Sequence, residues 1–406
     1  MIFSLEAPQQ PIRGDISLSS SKSESNRALI IQALGADCVL NNLSDARDTQ
    51  TMQRLLEEKG EVWDVLDAGT TMRFCTAYLG VFGKAEIITG TDRMQQRPIK
   101  LLVDALISLG AEIEYQKNEG YPPLKVKGIS VQKSNQIEIP GNISSQYISA
   151  LLMIAPRLPL GLKIQLRGHV FSKPYIQMTL ALMQHFGIRY DWDENELISI
   201  SPQGYGSANY TIESDWSGAS YWYSMVALQK DSRIVLKGLR ENSFQGDQRI
   251  AEIMKNLGVS TVYHNKGAEL THSGKVTNDL SLDFRTCPDL AQTVMVTAAV
   301  LGTKLKMVGL ESLKIKETDR VLAMQNELQK LGASLTEEGN TWTMIPGNIP
   351  SSIQPINTYE DHRMAMAFAP VAMRQKVQIE EPDVVKKSYP SFWEHLQMVG
   401  MHMETH

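Results

Sequence analysis

Two kinds of apolar pattern alternate along the chain. In the first, apolar residues fall at i, i+3 and i+4 spacing and the run stops at a glycine. TMQRLLEEKG, LLVDALISLG, TLALMQHFG, RIAEIMKNLG, AMQNELQKLG and FWEHLQMVG end at Gly60, Gly110, Gly187, Gly258, Gly332 and Gly400. Such a run predicts an amphipathic helix closed by a left-handed C-terminal residue. The stretches AEIEY, GIRYDW, VSTVYH and ASLTEE that follow several of them alternate or are β-branched, and predict strands.

The second pattern is apolar nearly all round after a polar first turn, as a buried helix must be. Its copies begin near Ser23, Gly69, Ser144, Ser217, Asp289 and Asp361. From Gly69 on they recur every 72–75 residues, while the first interval is 46 residues, which predicts a trimmed first repeat. A period of this length is too long for the common solenoid repeats. Six copies in 406 residues predict an α/β chain of two similar domains, each of three units. One domain is expected at 14–214 and the other at 1–13 plus 215–406, with hinge crossings near Gly14 and Asp215. Each buried helix would turn unpaired backbone N–H groups and a positive dipole end outward at its polar start. Six such starts facing a cleft between two domains would suit a ligand with several negative charges.

Composition removes several function classes. The apolar fraction is 42% and the charged fraction 21%, as in soluble globular proteins. No run approaches the roughly 20 apolar residues of a membrane span, and MIFSLEAPQQPIRGD does not read as a secretory signal. Cys38, Cys75 and Cys287 form no CxxC pair, so a reduced, cytoplasmic protein without membrane partners is expected. The net charge of −5 argues against general nucleic-acid binding. Phosphate-loop, complete GxGxxG, HExxH and GxSxG signatures are absent, so no metal and no cofactor are expected.

Cations gather in the same segments as the polar helix starts. Lys22 and Arg27 lie in SKSESNR, Arg73 in AGTTMR, Arg93 and Arg97 in DRMQQRPIK, and Lys173 in SKPY. Lys316 and Arg320 lie in IKETDR, Arg363 in DHR and Lys387 in KKSYP. Together they would form a local positive well in an acidic protein. Asp289, Glu317, Asp319, Glu360 and Asp361 stand among them. Asp289 and Asp361 fit helix N-caps, Glu317 fits an ion pair and His362 fits a structural hydrogen-bonder. Carboxylates and a lysine beside bound phosphate can equally move protons.

LSSSKSESNRALI, DAGTTMRF, RMQQRPI, SSQYISALLM, SKPYI, PDLAQ, KIKETDR, DHRMAMAF and KKSYPSFW, in this order, resemble the signature set of the 5-enolpyruvylshikimate-3-phosphate synthase family. The resemblance covers residues from about 19 to 393. It implies an enolpyruvyl transferase-like fold, an inside-out α/β barrel in which each domain holds three βαβαββ units around parallel buried helices. It implies transfer of the enolpyruvyl group of phosphoenolpyruvate to the 5-hydroxyl of shikimate 3-phosphate by addition–elimination, with release of phosphate, in a monomer. By the same resemblance, shikimate 3-phosphate would meet Lys22, Ser23, Arg27, Ser144, Ser145, Gln146, Ser172, Tyr175, Asp289, Ser312 and Lys316. Phosphoenolpyruvate would meet Lys22, Gly69, Arg97, Gln146, Arg320, Arg363 and Lys387. Asp289 would take the hydroxyl proton, and Glu317 and Lys22 would serve the methylene and phosphate ends, with His362 close by.

The chain departs from the family pattern at three places. Asp67 stands where Asn commonly precedes AGT, Phe74 where Pro is frequent, and Ser312 where an Asn often touches the sugar phosphate. A negative charge at Asp67 would weaken phosphoenolpyruvate binding unless it is turned away, and sensitivity to glyphosate, the family's inhibitor, does not follow from the motifs. The sister enzyme acting on UDP-N-acetylglucosamine has Lys-Asn where Lys22-Ser23 stands, and a cysteine-bearing loop that RMQQRPI lacks. A non-catalytic anion-binding scaffold would not need Asp289, Glu317 and Lys22 together.

Overall fold

The computed structural model describes residues 1–58 and 60–406. Its helices alternate in kind, as the two apolar patterns do. Those of the inserted half are α1 (Lys22–Ala33), α2 (Arg47–Glu58), α3 (Gly69–Phe82), α4 (Lys100–Leu109), α5 (Ser145–Ile154) and α6 (Lys173–His185). Those of the flanking half are α7 (Trp216–Leu228), α8 (Ile250–Lys255), α9 (Ala291–Leu301), α10 (Arg320–Lys330), α11 (His362–Phe368) and α12 (Phe392–Met398). The odd-numbered helices are the buried kind. In α7 every residue but Ser217 is buried, and α11 is buried throughout. The even-numbered helices bury one stripe, as α4 does with Leu102, Val103, Ala105, Leu106 and Leu109.

Four sheets repeat one topology. Strands Val62–Asp64 and Lys84–Thr89 flank α3 and pair in parallel, and the antiparallel strands Leu124–Lys127 and Glu112–Tyr115 complete the sheet. The same first-second-fourth-third order recurs around α5 and α9. A parallel pair cannot be joined by a tight turn, so each buried helix serves as the crossover. The fourth such sheet pairs Arg13–Ser17 in parallel with Arg233–Lys237, although most of the chain lies between them in sequence. The trimmed first repeat has only a two-residue parallel pair, Leu40–Asn41 with Tyr210–Thr211. In the last repeat the N-terminal strand Ile2–Glu6 sits between Val377–Glu380 and His402–Thr405.

The chain forms two compact units, Ser20–Ile212 inserted into Met1–Ser19 plus Glu213–His406. Residues 14–19, expected in the first domain, therefore belong to the flanking unit, and 213–214 do too. The reason is the ladder from Arg13↔Arg233 to Ser17↔Lys237, which apolar pattern alone does not reveal. Each unit has its own apolar core, one running from Leu29 to Tyr205 and the other built from Leu5 to Leu18 and Trp216 onward.

Buried helices in contact share hydroxyl pairs. Ser220 meets Thr293 at 3.2 Å, and one turn further along both helices Thr297 donates to Ser224 at 2.7 Å. Matching steps in both chains mean that α7 and α9 run parallel. The glycines at 110, 187, 258, 332 and 400 are left-handed, as expected. The same expectation at Gly60 follows Lys59, which lies outside the described residues.

Two of the glycines that end helices in the flanking unit separate strain from collision. At Gly302 (φ +79) a Cβ would meet nothing within 4 Å, whereas at Gly332 (φ +77) it would lie 2.2 Å from the Asn348 carbonyl oxygen. Gly302→Ala is expected to lose only the left-handed preference, about 1 kcal/mol. Gly332→Ala is expected to lose roughly 2–4 kcal/mol, because backbone must also move. Urea unfolding of the two variants checks this, and equal losses would show that the Asn348 segment yields freely.

Candidate active site

In the inserted unit the polar groups lie at the starts of α1, α3, α5 and α6. Ser21 caps α1, its hydroxyl accepting the Glu24 N–H at 3.3 Å. The next residue, Lys22, donates to Asp48 Oδ2 at 2.9 Å. Asp48 is buried, and its other carboxylate oxygen has no hydrogen-bond partner among the described residues.

Arg27 is buried, and no carboxylate lies within ion-pair distance of it among the described residues. Its guanidinium donates to Thr179 Oγ1 (2.7 Å), the Ser23 carbonyl (2.8 Å) and Ser149 Oγ (3.1 Å). It lies 5.3 Å from the Phe74 ring centroid and 5.9 Å from that of Tyr175. Burial pushes its pKa down to about 10. Phe74, a departure from the family pattern, thus supplies an aromatic face to the cation. A guanidinium desolvated without a carboxylate at ion-pair distance favours an arriving anion.

Arg97 lies against the start of α3. A Cβ at Gly69 would sit 2.6 Å from its Nη1, so only glycine lets the guanidinium approach this helix start. Ala68 gives α3 no side-chain cap, and Arg97 Nε, though buried, has no partner among the described residues. Arg73 fixes this segment by donating to the Gly69 carbonyl at 3.0 Å and the Pro98 carbonyl at 2.9 Å. Tyr147 donates to the same Pro98 carbonyl at 2.6 Å. Gln146, two residues after the α5 cap Ser144, donates to Thr70 at 3.0 Å, joining two helix starts. Ser145 beside it is buried. Asp67 takes both oxygens to Arg47 Nη2, at 3.0 and 2.8 Å, so its charge is engaged there.

In the flanking unit the charges converge on Asp289. It accepts from Arg320 Nη1 and Arg363 Nη2, each at 3.1 Å, and Lys316 Nζ lies 3.7 Å away. Arg320 also grips Asp361 at 2.6 and 3.2 Å and Glu317 at 2.9 Å. Lys387 Nζ lies 3.7 Å from Glu317. His362 is buried, with Nδ1 at 3.6 Å from Asp361. Burial opposes the Asp289 charge, but Arg363, Lys316 and Arg320 outweigh it and hold the carboxyl well below the usual range. Asp289 favours the Lys316 ammonium, yet burial together with Arg320 and Arg363 moves that pKa below the ordinary lysine value.

Several residues take roles that spacing alone did not fix. Asp289 does not cap a helix with its side chain, whereas Asp361 does both, accepting the Arg363 N–H at 2.9 Å while clamping Arg320. Glu317 is the ion-pair member anticipated. Lys173 is committed to Glu196 at 2.7 Å and leaves the set of cations open to a ligand. Ser312 lies half-buried in the 3-10 helix Glu311–Ile315, and its side chain makes no hydrogen bond among the described residues. Asp48 and Asp247 were not singled out, because neither belongs to a motif whose spacing marks it. Asp247 is buried and accepts from Ser217, whose oxygen lies 3.3 Å from Arg363 Nη2.

Known proteins resemble the chain over nearly its whole length. The family profile described as EPSP synthase (3-phosphoshikimate 1-carboxyvinyltransferase) matches residues 7–66 and 53–396. A 3-phosphoshikimate 1-carboxyvinyltransferase of Bacteroides fragilis is 50% identical over 404 residues, covering 98% of both chains. One from Haemophilus influenzae is 34% identical over 428 residues, covering 97% of this chain and 98% of its own. The solved EPSP synthase of Acinetobacter baumannii superposes with a TM-score of 0.79 across 100% of both chains at 19% identity, which supports the fold. By its family match and its identity to these relatives, the chain belongs to the EPSP synthase (3-phosphoshikimate 1-carboxyvinyltransferase) family.

Proposed function

We propose that the two clusters divide the labour of the family reaction, the transfer of the carboxyvinyl group of phosphoenolpyruvate to the 5-hydroxyl of shikimate 3-phosphate. The observation that carries this reading is Asp289, a carboxylate held by Arg320, Arg363 and Lys316 in a network that, with Lys387, sets four cations against the three carboxylates Asp289, Glu317 and Asp361. Such a set takes up anions and still contains a base. Asp289 accepts the hydroxyl proton as oxygen attacks C2, and Glu317 or Lys22 delivers a proton to the methylene. A proton then leaves the new methyl group as the C2–phosphate bond breaks, so the steps balance without an oxidant or reductant.

Asp289 flanked by three cations is a weak base. An anionic substrate that engages Arg320 and Arg363 draws those cations from it and raises its basicity at the moment of use. Lys22, Gly69, Arg97, Gln146, Arg320, Arg363 and Lys387 hold phosphoenolpyruvate in this reading. Lys22, Ser23, Arg27, Ser144, Ser145, Gln146, Ser172, Tyr175, Asp289, Ser312 and Lys316 hold the acceptor, with His362 beside the reacting groups. The protein acts as a cytoplasmic monomer without nucleic-acid or membrane partners. Its charge of −5 speaks against general nucleic-acid binding, and among the described residues no helix is long and apolar enough to cross a membrane.

Phosphate release from phosphoenolpyruvate, with shikimate 3-phosphate and UDP-N-acetylglucosamine compared as acceptors, tests the reading. Release is expected only with shikimate 3-phosphate, and Asp289→Ala is expected to lower kcat by roughly 10²–10⁴. Release with the nucleotide sugar, or an undiminished mutant, would overturn it.

Gly69→Ala drives a methyl group into the Arg97 guanidinium. KM for phosphoenolpyruvate is expected to rise about ten-fold or more, with KM for the acceptor much less affected. A rise confined to the acceptor would move Arg97 to the other ligand.

Asp247 gives a pH signature. Burial first, then the neighbouring Asp289 charge, raises its pKa to about 7. Between about pH 4 and 7 the folded protein keeps a proton that the unfolded chain has lost, so stability falls as pH rises through that window. Asp247→Asn is expected to reduce the drop in Tm between pH 5 and 8, and an unaltered pH dependence would mean that this carboxyl is already ionised at pH 5.

A further inference from the structure

By its place in SKPY, Lys173 belongs with the cations near the polar helix starts, and the structure gives it a different partner. Its ammonium lies 4.6 Å from the centroid of the Trp192 ring and 2.7 Å from Glu196 Oε1. The other oxygen of Glu196 accepts the Trp192 Nε1–H at 2.6 Å. One carboxylate thus ties the indole edge to the cation that rests on the indole face. An isolated exposed ion pair contributes little, but an aromatic face and a shared carboxylate fix the direction of the lysine as well as its charge.

Both ends of this contact are held in unusual backbone. Ser172, immediately before Lys173, has φ +53 at the start of α6, and its side chain makes no capping bond. Glu196 has φ +57. Non-glycine residues stay left-handed only where their surroundings hold them there. Around Glu196 the supports are plain. Asp193 Oδ1 accepts the N–H groups of Asn195 (2.8 Å) and Leu197 (2.9 Å), and the Glu196 carbonyl accepts Leu166 N–H at 3.0 Å. Around Ser172, Phe171 N–H donates to the Gly141 carbonyl at 2.8 Å and Tyr175 N–H to the Ser172 carbonyl at 3.0 Å, while the Tyr175 carbonyl accepts from Thr179 Oγ1 at 2.8 Å. Glu196 is thus held by its own turn between the strands Asp191–Trp192 and Leu197–Ile200, and Lys173 connects that turn to the segment Ser172–Tyr175.

We propose that Trp192 and Glu196 are positioning residues which, by capturing Lys173, hold Ser172 and Tyr175 where they meet the sugar phosphate acceptor. The proposal rests on the reading of Ser172 and Tyr175 as acceptor-side residues. It is independent of which group moves which proton. Lys173 acts here as a tether and does not itself touch the acceptor. Tyr175 links the tether to Arg27, since its carbonyl accepts from Arg27 Nη2 at 3.5 Å and its ring lies beside the same guanidinium.

Steady-state kinetics of the full-length enzyme with Glu196→Gln, Trp192→Leu, Lys173→Met, Lys173→Arg and the double variant Lys173→Met/Glu196→Gln tests this. Each of the first three is expected to raise KM for shikimate 3-phosphate about ten-fold, leaving kcat and KM for phosphoenolpyruvate within about two-fold. The double variant should be no worse than the worse single one, since both remove one interaction. Lys173→Arg should restore most of the affinity, because a guanidinium keeps both the ring and the carboxylate contacts. An unchanged or lower acceptor KM in Glu196→Gln would overturn the proposal, being the result expected if Lys173 were itself an acceptor ligand. A parallel Ser172→Ala variant separates the two readings. No rise in acceptor KM there removes the acceptor-side reading itself. A rise there without one in the tether variants removes only the tether. Should Trp192→Leu unfold at assay temperature, Trp192→Phe, which keeps a ring face, decides the point by the same KM split.

Discussion

A helix buried on every side satisfies its own backbone except at its ends, where the first N–H groups must find partners elsewhere. Much of this architecture follows from that constraint. Beyond their first turns α7 and α9 are apolar or carry hydroxyls that pair with one another, as Ser220, Ser224, Thr293 and Thr297 do. The starts of α3, α5, α7, α9 and α11 hold serines, threonines, glutamine, aspartates and arginines, whose polar groups lie beside those open N–H groups. The positive ends of these helices and the basic side chains beside them then favour the same kind of ligand.

Desolvated charge is costly unless it is paired, and the two units handle it differently. Around Asp289 the flanking unit pairs cations with carboxylates in a closed network, with Arg320 bonded to Asp289, Glu317 and Asp361 together. In the inserted unit Arg27 and Arg97 are buried without a carboxylate partner among the described residues, and hydroxyls, carbonyls and aromatic faces take its place. The first arrangement can yield a base when an anion competes for the cations. The second leaves the guanidinium groups of Arg27 and Arg97 without an ion-paired carboxylate, an arrangement that favours an arriving anion.

Two of the three departures from the family pattern, Asp67 and Phe74, are engaged by neighbouring arginines. Asp67, a charge that would repel phosphoenolpyruvate, is occupied by Arg47, and Phe74 packs its ring beside Arg27. Lys173, in contrast, keeps to the family motif but is drawn off by Trp192 and Glu196, which belong to no motif. A motif residue and a functional cation are therefore different things, and the surroundings decide between them.

The alternation of helix kinds, the six-fold repeat with its trimmed first copy, and the clustering of cations at helix starts are all legible along the chain. These are one-dimensional properties, because amphipathic period, helix caps and motif spacing depend on near neighbours in the chain. Tertiary structure decided where the chain divides, because Arg13–Ser17 finds its partner at Arg233–Lys237 and a ladder over that distance leaves no local trace. It also decided which charges pair. Asp48 with Lys22, Asp247 with Ser217, and Glu196 with Lys173 are contacts between segments far apart in sequence. Their energies depend on burial and direction, and composition fixes neither.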